Sequence, residues 1–297
     1  MKWEDRQESS NVEDKREENG GFSGGTGGVR NVSFLIPIIK TLLGTKFGWL
    51  LLLVGGFLYF SGIIDPFQLI APTQQQISKP INKELDDQHA KFMATVLGDT
   101  EKVWQEVFQK LYGKAYMPPK LVLFRGQVQS GCGFAQAQMG PFYCPVDKKV
   151  YIDLDFLDAL VKVHGGGGDF AEAYVLAHEV GHHIQNLQGT LEKVQRYNAK
   201  AASESDQNAL QVRVELQADC YAGIWAHVAQ KNYAILEKGD IEEALNTASA
   251  IGDDILQKKA QGYVVPDSFT HGTAKQRVAW FKKGFETGSV DMCDTFR

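Results

Sequence analysis

Apolar residues recur at intervals of three and four over several long stretches of the chain, and alternate or run together over a few short ones. From Ile81 to Tyr112, Phe92, Val96, Val103, Trp104, Val107, Phe108 and Leu111 keep the helical period and predict one long amphipathic helix. Leu121–Phe124 is a short apolar run and Val150–Leu154 alternates, so both predict strands. A glycine run after His164 predicts a loop, and the pattern beyond it is helical. Helices are expected over Phe170–Leu187, with Asp169 as N-cap and Gly189 as stop, then over about Ser203–Lys231, Asp240–Gln261 and Thr273–Phe285. No internal repeat is visible. The expected fold class is α+β, a helix-rich domain with a small sheet over residues 81–297.

Upstream the pattern changes twice. Residues 1–32 are polar, carry both charge signs and are dominated by glycine from Gly20 to Gly28. Such a segment buries too little apolar surface to offset its ordering entropy, which predicts a disordered tail. Phe47–Ile64 then runs 18 residues without a charge, about 27 Å of helix and close to the thickness of a bilayer's hydrocarbon core. It has no polar face, as a core helix would, and Asp65-Pro66-Phe67 after it makes a poor signal-peptide cleavage site. A membrane segment over 33–65, with its span at about 47–64, is therefore expected, followed by a polar linker over 66–80. Trp49 and Tyr59 suit the interfaces. Arg30, Lys40 and Lys46 precede the span, and Lys79 is the first basic residue after it. The positive-inside rule then puts the N-terminus in the cytoplasm and the rest on the exported face of a cytoplasmic membrane, single-pass, with the lipid bilayer as a partner.

Composition narrows the partners further. A net charge of −5 without a basic stripe argues against nucleic acid. Cys132, Cys144, Cys220 and Cys293 all follow the span, an even number in an oxidising compartment. Four cysteines allow three pairings. The first two flank the turn at Gly140-Pro141, which predicts a Cys132–Cys144 bridge and leaves Cys220 to Cys293.

The chemistry concentrates in the Phe170–Leu187 helix, which carries His178-Glu179-Val180-Gly181-His182. Histidines four apart project from one helix face and can reach one metal ion, while Glu179 beside them is placed to act as general base on a metal-activated water. Catalytic zinc takes three protein ligands. The next long helix offers Glu215 and Asp219, again four apart and set among Val214, Leu216, Ala218 and Tyr221, where an unpaired charge is costly. Glu215 is the expected third ligand. Asp219 is expected to accept a hydrogen bond from a ligating histidine and fix its orientation. His183 points off the metal face and is expected to be structural. Gly21-Phe-Ser23-Gly-Gly25 matches a serine-hydrolase pattern, but it has no strand before it or helix after it and is read as flexible sequence.

His178-Glu179-x-x-His182 followed by Glu215-x-x-x-Asp219 resembles the gluzincin arrangement, and Glu215-Leu-Gln-Ala-Asp219 resembles the ExxAD element of membrane-associated M48-type metallopeptidases. The wider text, from Gly140-Pro-Phe-Tyr-Cys-Pro145 through His178-Glu-Val-Gly-His-His-Ile-Gln185 to Thr270-His-Gly-Thr273, resembles the YpfJ-like neutral zinc metallopeptidases of bacteria over nearly the whole chain. The resemblance implies a zincin-like fold, Zn2+ as cofactor and an endopeptidase acting on peptides or proteins of the cell envelope. It also implies that His271 and Arg277 act in catalysis, since M48-type enzymes carry a late His-Pro element and a basic residue. Here Gly272 replaces the proline. The edge of the small sheet around Gln129–Gln138 is expected to pair with an extended substrate. The alternatives are a peptidase of cell-wall stem peptides and a zinc-stabilised envelope scaffold without turnover.

Overall fold

The computed structural model describes residues 1–18, 83–136, 140–163 and 168–297. In chain order, β1 (Val12–Asp14) precedes the 30-residue helix α1 (Lys83–Tyr112), then β2 (Lys120–Phe124), β3 (Gln127–Ser130), β4 (Gly133–Gln136), β5 (Phe142–Cys144) and β6 (Lys149–Asp153). The rest is helical: α2 (Leu154–Val163), α3 (Asp169–Leu187), α4 (Thr190–Asn198), α5 (Glu204–Tyr233), α6 (Asp240–Ala250), α7 (Asp253–Gln261) and α8 (Ala274–Thr287), with short 3-10 turns at Pro266–Ser268 and Val290–Cys293. The helix-rich α+β class expected from the pattern is the one observed.

Four strands form one sheet in the order β1-β2-β6-β5, with β1–β2 and β2–β6 parallel and β5 antiparallel to β6. Leu121, Val122, Leu123 and Phe124 of the inner strand β2 are all buried, so both faces of the sheet are covered and the strand reads as an unbroken apolar run. β3 and β4 form a separate hairpin. The core joins this sheet to α1, α3 and α5 through Phe92, Val96, Trp104, Leu123, Ile152, Leu176 and Trp225. Both predicted disulfides are present. Cys132–Cys144 ties the β3–β4 turn to β5, and Cys220–Cys293 ties α5 to the C-terminal turn.

Helix ends follow local chemistry. Ser203 caps α5 by accepting from the Asp206 N–H, and Thr273 with Gln276 forms a capping box on α8. Three expectations need correction. Asp169 is the first residue of α3 and Gly168 occupies the N-cap. The single helix expected over Asp240–Gln261 is two, because Gly252 takes an extended backbone conformation (ψ 139°) where an added Cβ would lie 2.4 Å from the Ala274 nitrogen. Residues 1–18, expected within a disordered tail, are ordered. Val12–Asp14 adds an outer strand to the sheet, and Met1–Gly21 forms one compact unit with Asn82–Arg297. Their low hydropathy misleads because the partners are largely ionic and main-chain rather than apolar.

Among the described residues no helix is long and apolar enough to cross a membrane. The expected membrane segment 33–65 with its span at 47–64, the linker 66–80, Ser23, and His164 with residues 165–167 of the glycine run lie outside the described residues.

Candidate metal centre

Helices α3 and α5 pack so closely that a Cβ on Gly181 would lie 3.0 Å from the Ala218 carbonyl oxygen. The glycine inside the His-Glu-Val-Gly-His stretch therefore sets how near the two helices come. At that separation Glu215 lies against both histidines of the opposite helix. His178 Nε2 is 3.1 Å and His182 Nε2 3.6 Å from the same oxygen, Glu215 Oε2. The imidazole rings stand at 90° with centroids 4.8 Å apart. One donor atom from each of His178, His182 and Glu215 lies within 4.8 Å of the others.

What surrounds these three residues decides whether they fit a metal. A carboxylate can only accept, so His178 Nδ1 donates to Asp219 Oδ1 at 2.8 Å and Nε2 to Glu215 Oε2 at 3.1 Å. Because Asp219 holds the Nδ1 proton, Nε2 is the nitrogen that would give up its proton and present a lone pair to a metal. His182 Nδ1 donates to Gln185 Oε1 at 2.9 Å, with the same result. Gln185 cannot turn round, because its amide N–H groups are taken by the Val214 carbonyl and Gln217 Oε1. The other oxygen of Glu215 accepts from Gln211 at 2.9 Å, so Oε2 is the one left facing the histidines. Two imidazole Nε2 atoms and one carboxylate oxygen converge, all held from behind. That donor set suits zinc.

The electrostatics point the same way. Burial opposes charge on His178, but Asp219 and Glu215 outweigh it and push the imidazole up to about 10. For His182, burial again opposes charge and Glu215 overcomes it. Burial raises the carboxyls, yet the histidines hold Glu215 well below the usual range, and Arg277 with His178 brings Asp219 down to about 2. The pocket draws in positive charge, and a metal ion competes there with protons.

Asp219 is wholly buried and accepts from four donors. Tyr174 reaches it through its hydroxyl at 2.6 Å, His178 at 2.8 Å, and Arg277 through Nε and Nη2 at 2.9 Å each. Arg277 also lines the cleft. Two of its donors are committed to Asp219, and its charge offsets that carboxylate. His271 does face the cleft and is half exposed, with Nδ1 turned to Asp253 Oδ1 at 3.2 Å. The Asp253 hydrogen bond raises His271, and burial opposes it less strongly. The same carboxylate accepts the backbone N–H groups of Thr270, His271 and Gly272 and so fixes the loop.

His178, His182, Glu215, His271 and Arg277 line one cleft of about 590 Å3. Glu179 is in its wall, 7% exposed. Phe142, Phe156, Val175, Leu191 and Leu256 add apolar surface to the lining. The strand beside the cleft is β5, an outer strand of the sheet; among the described residues, none of the stretch Gln129–Gln138 that the sequence suggested for substrate pairing lines it. His183 has the structural place expected of it. Nε2 donates to the Met117 carbonyl at 2.7 Å and Nδ1 accepts from the Tyr143 hydroxyl at 3.0 Å, fastening β5 to α3. Sequence reasoning missed Tyr174, Gln185, Gln211 and Asp253. Gln185 follows His182 by three residues and Gln211 precedes Glu215 by four, so helical spacing held a signal for both. Asp253 has none, because only the tertiary fold brings it to His271.

A family model described as "Putative neutral zinc metallopeptidase" matches residues 1–296. The "Uncharacterized protein YpfJ" of Escherichia coli K12 is 47% identical over 296 residues, covering 100% of this chain and 99% of that protein. The "Uncharacterized protein Rv2575" of Mycobacterium tuberculosis H37Rv is 48% identical over 191 residues, 61% of this chain and 63% of that protein. No solved structure matches.

Proposed function

Since the chain belongs to the neutral zinc metallopeptidase family, which matches it along its length, we propose that it is a zinc-dependent endopeptidase of zincin-like architecture. The observation that carries this is the convergence of two pinned imidazole Nε2 atoms on one oxygen of Glu215, with Glu179 in the wall of the same cleft. His178, His182 and Glu215 would hold the metal. Bound there, zinc supplies Lewis-acid polarisation of a carbonyl oxygen and lowers the pKa of water.

The protein's own groups do the rest. Glu179 accepts the proton that the attacking water loses and delivers it to the leaving amine. His271, held by Asp253, donates to the carbonyl oxygen as negative charge builds on it. Asp219, with Tyr174 and Arg277 behind it, keeps His178 in the tautomer that presents Nε2. The outer strand β5 offers main-chain groups to an extended peptide, and the apolar part of the lining takes a hydrophobic side chain. We place this domain at the exported face of a cytoplasmic membrane, a reading supported by its two disulfides and by the uncharged stretch 47–64. Its substrates would then be proteins or peptides of the envelope, including the stem peptides of the cell wall. A zinc-stabilised scaffold is disfavoured, because a purely structural zinc site is usually closed by four protein ligands, and here three donors open onto a cleft.

Metal content and hydrolysis of a broad peptide library, measured on three proteins, test the proposal. The wild type should hold about one zinc per chain and cleave. Glu215→Ala should lose most of the metal. Glu179→Gln should keep the metal and lose about 100–10,000-fold in rate. Full zinc in Glu215→Ala removes that ligand, and undiminished hydrolysis in Glu179→Gln removes the mechanism. A wild type that binds zinc and cleaves nothing restores the scaffold.

A further inference from the structure

Residues 1–18 do not lie loosely on the domain. They form an interlocked strap. Trp3 packs edge-on against Phe92 of α1 with ring centroids 5.2 Å apart, and the Lys2 amide donates to the Ile235 carbonyl at 2.8 Å. Arg6 makes a two-pronged ion pair with Asp99, Nε and Nη2 each 2.6 Å from a different carboxylate oxygen, and Asp99 is wholly buried. The strap passes so near α1 that a Cβ on Gly98 would sit 2.7 Å from the Gln7 carbonyl oxygen. Ser9 donates its amide to the Ala94 carbonyl at 2.9 Å and its hydroxyl to Glu101 at 2.6 Å. Then β1 joins β2 in parallel register, Val12 opposite Leu121, and Glu13 meets Lys149 Nζ of β6 at 2.7 Å. Arg16 ends the strap on Asp86 at 2.7 Å.

Contacts of this kind need direct touch. They cannot be made through the roughly 30 Å of hydrocarbon that separate the two faces of a bilayer. We infer that residues 1–18 and residues 83–297 occupy the same side of the membrane, docked together as a single unit. This placement replaces the expected arrangement, in which a cytoplasmic tail and an exported domain lie on opposite faces. This inference does not depend on the peptidase reading. It goes beyond it by assigning the strap's compartment.

Thiol accessibility in the full-length, membrane-bound protein tests it. All four native cysteines are in disulfides, so a cysteine introduced at an exposed site is the free thiol read out. Ser10→Cys and Lys259→Cys are made separately at exposed positions and treated with a membrane-impermeant maleimide, first in sealed spheroplasts and then after detergent. Equal labelling of both before detergent is expected. Labelling of both only after detergent still supports the shared side, and it removes the exported location proposed above. One thiol labelled and the other protected until detergent overturns the inference. Zero-length carbodiimide coupling in the same membranes should also yield a Glu13–Lys149 isopeptide that Lys149→Arg abolishes. Absence of that linked peptide overturns the docking.

Discussion

Asp219 keeps a charge at zero exposure because Tyr174, His178 and Arg277 all donate to it. Removing one donor therefore strands a buried anion. Arg277→Ala should destabilise the fold by about 3–5 kcal/mol in denaturant titration. Arg277→Lys should recover only part of this, since an ammonium cannot match the two parallel hydrogen bonds of the guanidinium. His183 gives a pH signature of its own. Burial holds it down to about 4, so the folded protein keeps it neutral between Tyr143 and Met117. The unfolded chain binds the proton from its ordinary value near 6.5 downward, so stability is full above about pH 6.5 and falls as pH drops toward 4. Unfolding midpoints of wild type and His183→Gln should therefore converge as pH falls from 7 to 4. At this scale the sequence was most readable where helical spacing encodes a shared face, as for His178 with His182 and Glu215 with Asp219. It was silent where partners come from distant elements, as for Asp253 with His271 and Arg277 with Asp219.

Between elements, the centre depends on the α3–α5 crossing at Gly181. A methyl there would press on the Ala218 backbone, 3.0 Å from its oxygen and 3.1 Å from its Cα, neither of which can rotate away. The helices would have to separate by a few tenths of an ångström, drawing Glu215 from the histidines. Gly181→Ala should thus lower zinc affinity about 10-fold or more while the far-UV circular dichroism stays helical, measured by competition with a chelating dye. Long amphipathic helices such as α1 and α5 were legible because their period repeats over many turns. β1 and β5 have three residues each, too few for any alternation to show. Their strand character comes from the neighbours they pair with. α2 follows β6 without a break, and the short apolar run there fits either element.

Over the whole molecule, Cys220–Cys293 closes a loop spanning 73 positions and adjoins the centre, for Gln217 donates to the Cys293 carbonyl and also holds Gln185 behind His182. Loop entropy alone sets the stabilisation by this bond at about 4 kcal/mol. The Cys220→Ala/Cys293→Ala protein should unfold at a markedly lower temperature and release zinc at lower chelator concentration than the wild type. The class of fold and the disulfides were visible from one end of the chain to the other, whereas the place of residues 1–18 was not, because polar composition records what a segment avoids and not what it can pair with. That strap also orders events in time. Its strand is made first, yet its partners Leu121–Leu123 and Ile235 follow by over a hundred and over two hundred residues. At about 5–20 residues per second the opening strand waits roughly ten to forty seconds for them. Until β2 has been made it is an open main-chain edge with no partner in its own chain, and whatever shields nascent segments must hold it until then.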